Sequence, residues 1–166
     1  MGKIGVKIRV FVPKEVMNVA AVNRAIQHTM ITKTGPELRK EFDKTVTTWS
    51  DQPNFQTEHY FGQNVMWVKV LTYSKTYRLV NAGAKPHEIR PRRAKMLRFQ
   101  NQYRAKSRPK LIRSFAGGKS GDYISTPVVK HPGFEARKFD ETIAEEYTKT
   151  FHDDIQDAIK EGIIHT

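Results

Sequence analysis

The chain has 166 residues, 38% of them apolar and 28% charged, a formal charge of +12 and no cysteine. That length holds one ordinary domain with a real core and argues against two, while the missing cysteines exclude a disulfide framework, thiolate-bound zinc and thiol catalysis together. The charge is unevenly placed: Lys85 to Lys119 holds 12 of the 29 Lys and Arg residues and one acid, Glu88, for a local +11, whereas the last 47 residues carry −5.

Lys3 to Val12 alternates Ile4, Val6, Ile8 and Val10 with Lys3, Gly5, Lys7 and Arg9, the period-two pattern of a strand with one wet face. From Lys14 to about Ile31, Val19, Val22, Ile26 and Met30 recur at three- and four-residue steps and predict an amphipathic helix. Gly35-Pro36 punctuates the chain, with Pro36 suited to a first helical position, and Leu38, Phe42, Val46 and Trp49 carry a second stripe. Strand-like runs follow at Phe55 to Phe61 and Val65 to Tyr73, and Tyr77 to Val80 fits a short helix or a strand end equally. Gln100 to Asp122, rich in Gly, Ser, Lys and Arg, reads as a long loop, and loops of that length are uncommon unless functional or disordered. Tyr123 to Val129 reads as a closing strand. A last helix is expected from about Ala136 to Ile159, with Phe139, Ile143, Tyr147, Phe151, Ile155 and Ile159 on a spiralling stripe that packs obliquely on a sheet. The expected whole is a single α+β domain over residues 1–166: a small, mostly antiparallel sheet, N-terminal helices, a long C-terminal amphipathic helix and a basic loop insertion at about 100–122.

No apolar run approaches the length that crosses a bilayer, and the start of the chain reads as neither a secretory signal nor a myristoylation site, since Val6 stands where Ser or Thr is required. Gly117-Gly118-Lys119-Ser120 invites a phosphate-loop reading, but Arg113 occupies the position of its first glycine and a strand, not a helix, is expected next. His87 and His131 have no metal-ligand spacing and each adjoins a proline, so each ring is expected to bond its own turn. Glu145-Glu146 and Asp153-Asp154 are expected on the solvated face of the last helix. No catalytic set, cofactor or metal site emerges, and no enzymatic activity is expected.

The basic block is Arg90, Arg92, Arg93, Lys95, Arg98, Arg104, Lys106, Arg108, Lys110 and Arg113. Like charges at this density repel in a compact state. They imply a polyanion, an acidic surface on a neighbouring subunit, or a solvated loop. Phe99, Tyr103 and Phe115 make stacking on unpaired bases conceivable, but no RNA-recognition signature, zinc-finger spacing or helix-turn-helix accompanies them. Any nucleic-acid contact is therefore expected to be with phosphate, without base specificity. Asp153, Asp154 and Asp157 are the candidate inter-subunit acids.

Tyr77-Arg78-Leu79-Val80-Asn81-Ala82-Gly83-Ala84-Lys85-Pro86-His87-Glu88-Ile89-Arg90-Pro91 resembles the Y-x-x-V-(N/D/E)-x-G-T-x-x-H-x-I-x-P core of bacteriophage neck and tail-completion proteins, the minor virion proteins that join tail to head in lambda-like phages. In the same order come Ala94 to Phe99, a Gly-Gly loop, and Val129-Lys130-His131-Pro132-Gly133-Phe134-Glu135-Ala136-Arg137-Lys138-Phe139, similar to the family's V-x-H-P-G-x-x-x-(R/P)-x-F. Upstream, Phe42 to Trp49 with Pro53 and Phe55 also fits, so the resemblance spans roughly Leu38 to Tyr147; it departs at Ala84, where the family commonly has Thr. Its structural motif residues are Gly83, Pro86, His87, Pro91, His131, Pro132, Gly133 and Phe139.

The resemblance implies assembly, not catalysis: a homo-oligomeric ring, a hexamer being one expected size, around the DNA channel at the head–tail junction. The implied partners are other neck, connector and tail-tube proteins and, non-specifically, genomic DNA, with no membrane. The implied location is the virion, after assembly in the host cytoplasm. The competing reading is a free basic module that binds nucleic acid without sequence specificity.

Overall fold

The N-terminal alternation becomes β1 (Lys7–Val10), antiparallel to β3 (Met66–Leu71), whose other edge pairs with β2 (Gln56–Phe61). The computed structural model describes residues 5–10, 19–102, 104, 109, 112 and 117–164. Lys3, Ile4, Phe11 and Val12 of the expected first strand, and the start of the expected first helix, lie outside those residues. Among the described residues four α-helices accompany this sheet: α1 (Val19–Thr29), α2 (Gly35–Lys44), α3 (Lys75–Ala82) and α4 (Phe139–Ile164). The remaining strands form two separate antiparallel pairs, β4 (His87–Ile89) with β7 (Val129–His131) and β5 (Leu97–Gln100) with β6 (Tyr123–Thr126). The α+β class is as the sequence implied, and among the described residues its strands make three small antiparallel sheets where one was expected.

Gly35-Pro36 does not break the chain. A π-helical segment, Met30–Thr34, carries α1 directly into α2, with the Gly35 N–H donating to Met30 O five residues back. The wider π turn admits the Pro36 ring, which at a normal helical pitch meets the carbonyl four residues earlier. Tyr77 to Val80 is helical: Ser74 stops the preceding extended chain and its side chain accepts the Tyr77 N–H at 3.2 Å, an N-cap for α3.

Two clusters form the core. One joins Val6 and Val70 of the sheet region to Leu38, Phe42, Phe55, Tyr77, Phe139, Ile143 and Tyr147; the other joins Val10, Met66 and Val68 to Val22, Ile26, Met30, Ile155 and Ala158. The four-residue step of the α4 stripe explains how one helix serves both, since the stripe rotates as it advances. Its first turns meet α2 and its later turns meet α1. The stripe therefore packs chiefly along helices, not obliquely on a sheet as expected, and β3 side chains complete each cluster.

Tyr77 is fully buried among Phe42, Phe55 and Phe139, with its hydroxyl 3.2 Å from Thr45 Oγ1. Burial raises its pKa well above 10.0, and burial followed by the nearby Glu37 carboxylate raises that of Tyr147 as well. A group whose folded pKa is raised contributes fully below its unfolded pKa and loses that contribution as pH rises above it. Stability is expected to hold to about pH 10 and then to fall as unfolded tyrosines ionise while these two cannot. Urea melts between pH 8 and 11 check this, and Tyr77→Phe should flatten the alkaline decline.

Candidate functional site

The two motif segments, distant in sequence, are the two tracks of one arm. The outgoing track starts with Ala84 bridged to Phe134 (N to O 3.0 Å and 2.9 Å) and continues as His87 opposite His131 and Ile89 opposite Val129. Beyond an outgoing bulge at 90–96, Leu97 faces Thr126 and Gln100 faces Tyr123. Asn101 N then donates to Asp122 O at 3.0 Å, and Arg104 and Gly118 exchange both backbone bonds at 2.8 and 2.9 Å. The two ends of the expected Gln100 to Asp122 loop thus pair with each other, at Gln100, Asn101, Arg104, Gly118 and Asp122, while 103, 105–108, 110–111 and 113–116 lie outside the described residues. The expected closing strand splits at Pro127, where the missing N–H interrupts the ladder, into β6 and β7 in different sheets. Gly118 spends its N–H on this ladder, and β6, not a helix, follows it, so the Gly-Gly-Lys-Ser run has no phosphate-loop geometry.

A clasp locks the arm to the domain. Gly83, at φ +76, ends α3, and a Cβ there would lie 2.7 Å from Ala136 N; Gly133, at φ +83, would place one 2.2 Å from Ala84 O. Each glycine admits the other track's backbone. Pro86 and Pro91 flank the extended β4, and Pro132 is exposed in the turn before Gly133. His87 Nδ1 donates to Lys85 O at 2.8 Å, and His131 Nδ1 accepts the Gly133 N–H at 3.0 Å, so each ring does bond its own turn. The rings stack at 5.0 Å. Because His131 Nδ1 is the acceptor, its proton sits on Nε2, which is then no lone-pair donor to a metal. Among the described residues no three His, Asp or Glu side chains converge as metal ligands do.

At the root of the clasp, Arg137 N and Lys138 N donate to Val80 O and Asn81 O, both at 3.1 Å. Buried Asn81 donates its Nδ2 to Asp140 Oδ1 at 2.8 Å. The end of α3 is thereby sewn to the start of α4, and Phe139 enters the core in the next step of chain.

The described cations of the basic block stand on the arm's surface. Arg92, Arg93 and Lys95 are exposed on the bulge, Arg90 reaches Glu88 at 3.0 Å, Arg98 lies over the Tyr123 ring at 5.0 Å, and Arg104 is exposed at the rung it shares with Gly118. Lys106, Arg108, Lys110 and Arg113 lie outside the described residues. Met96, Tyr123 and Ile124 are exposed apolar groups of the same arm.

The acidic candidates divide. Asp153 and Asp157 are exposed, with Asp157 3.1 Å from Lys160 of its own helix. Asp154 is buried and bound to Lys33 Nζ at 2.7 Å. The Asp154 partner comes from the π turn of its own chain, which removes it from both the solvated face and the inter-subunit set. Asp154 also raises the Lys33 pKa, first by their hydrogen bond and then by its charge.

One surface escaped the sequence reading: the outer face of the three-stranded sheet, where Tyr60 and Trp67 stack at 5.6 Å and Lys7 Nζ lies 4.3 Å over the indole. Its signal was present in the alternation of Lys7 and Arg9, Tyr60, and Trp67 and Lys69 with core residues. No protein-family model matches the chain, and no curated protein or solved structure matches it either.

Proposed function

We propose that the chain is a structural virion protein of a tailed phage, completing the tail and joining it to the head as a ring of identical subunits around the DNA channel. The observation that carries this reading is the basic arm. A two-stranded ribbon is at best marginal in water without a surface to pack on, and this one exposes Met96, Tyr123 and Ile124 beside its cations. A ring supplies that surface from the neighbouring subunit and gives passing DNA a cationic wall without base readout. The motif residues support the reading in a second way, since Gly83, His87, His131 and Gly133 together make the clasp that holds the arm. Neck, connector and tail-tube proteins are the neighbours in this reading, and the virion is its place of action.

Sedimentation of the purified chain, with imaging of the particles by electron microscopy, tests it. The expected result is a closed ring with a lumen; a monomer at every accessible concentration overturns it. Replacing Arg92, Arg93 and Arg98 by Glu separates the arm's two roles. Loss of rings assigns the arm to a subunit contact, and intact rings with a shallower salt dependence of DNA binding assign it to the channel. A monomer that binds DNA with a steep salt dependence favours the free nucleic-acid module.

A further inference from the structure

The alternation that directs Val10, Met66, Val68 and Val70 into the core turns Lys7, Arg9, Trp67 and Lys69 to the other side of the sheet. Strand register then builds a patch. Lys7 stands beside Lys69 and Lys69 beside Glu58, while Arg9 stands beside Trp67 and Trp67 beside Tyr60. Within it the Tyr60 and Trp67 rings lie 18° from parallel, Lys69 and Glu58 approach to 3.9 Å, and Tyr60 remains 48% exposed. Tryptophan, tyrosine and arginine are the side chains that dominate binding interfaces. Lys7, held over the indole, is partly ordered in advance and loses less freedom on docking.

The exposed face of α4 has the opposite sign. The core stripe of α4 packs against α1, α2 and the sheet residues and leaves Glu145, Asp153, Asp157 and Glu161 exposed, interrupted by Lys149 and Lys160.

We propose that the outer face of the three-stranded sheet docks on the acidic face of α4 in a second copy of this chain. This rests on the ring reading and names its subunit contact. The two surfaces are different patches of the same subunit, so the contact is head-to-tail. Each added copy leaves one face of each kind free, and such an interface closes into a ring when the rotation permits. A sheet-to-sheet contact about a two-fold axis would set Lys7, Arg9 and Lys69 near their own counterparts, a like-charge arrangement that works against association. The arm is a separate surface: its apolar groups still pack on the neighbouring subunit in this arrangement, while its cations face DNA.

The test uses the full chain in three forms: unaltered, with Lys7→Glu and Arg9→Glu, and with Asp153→Lys, Asp157→Lys and Glu161→Lys. All substituted positions are exposed, and circular dichroism checks that each form folds. In sedimentation the unaltered chain assembles, and each variant alone needs about 100-fold more protein to do so. An equimolar mixture of the variants regains assembly, because a reversed sheet face meets a reversed helix face and the unaltered faces still match. If a reversal variant misfolds, Tyr60→Ser, at a half-exposed ring, gives the same reading of the sheet face.

Assembly of either folded variant at the unaltered concentration overturns this interface and leaves the ring reading standing. A monomeric unaltered chain overturns both. Intact rings that have lost affinity for single-stranded oligonucleotide overturn the interface by assigning the sheet face to nucleic acid.

Discussion

Replacing Phe139 by Ala is expected to lower the unfolding free energy by about 3–5 kcal/mol, the range for deleting a fully buried aromatic side chain. Phe139 has no exposed surface, stacks on Tyr77 at 5.6 Å and shares a cluster with Leu38, Phe42 and Ile143. It is also the first residue of α4, fixed from behind by the bonds of Arg137 and Lys138 to the end of α3. The neighbours are therefore held in place and collapse little into the space left. Thermal and urea melts give the number. A change within experimental error would falsify the packing argument and assign Phe139 to a partner.

Gly133→Ala should cost about 3 kcal/mol, from two sources. An L-residue at φ +83 carries about 1–2 kcal/mol of backbone strain. The new Cβ also stands 2.2 Å from Ala84 O and 2.9 Å from Lys85 C, so the first rung of the arm must move. Gly121→Ala separates the two terms. Its φ of +85 brings similar strain, but its nearest atoms are 3.6 Å away, and about 1 kcal/mol is expected. Hydrogen exchange on the Gly133 variant should rise first at the Ala84 and Phe134 amides. Equal costs at the two glycines would remove the steric part of the clasp.

The helices were legible because their evidence is local. Val22, Ile26 and Met30, or Phe139, Ile143 and Tyr147, announce a buried face within a few turns of chain. The turn roles of His87 and His131 were legible for the same reason, each ring bonding a group two residues away. What failed was non-local. Nothing near Asp154 in sequence distinguishes it from exposed Asp153; its burial depends on Lys33, 121 residues earlier. In the sequence the arm shows only a loop and a closing strand, because its rungs join residues such as Ala84 and Phe134 that no periodicity links. The bulge at 90–96 also displaces the register between the two ladders, which hides the symmetry of the tracks.

The π turn at Met30–Thr34 bears on how this chain can change length. Val22, Ile26, Met30, Thr34, Leu38 and Phe42 are all buried and all four apart. On a uniform α-helix each such step advances about 40°, and by Phe42 the stripe would have wandered about 200° from its start. A π turn uses more residues per revolution and so takes back part of that drift. Met30 can then face Met66 in one cluster while Phe42 faces Phe55 in the other. Between Met30 and Thr34 the number of residues thus works as a phase setting. Losing one residue there is a rotation of everything downstream by about 100°, not a shortening, and it would turn Leu38 and Phe42 out of the core while leaving the helix itself unbroken.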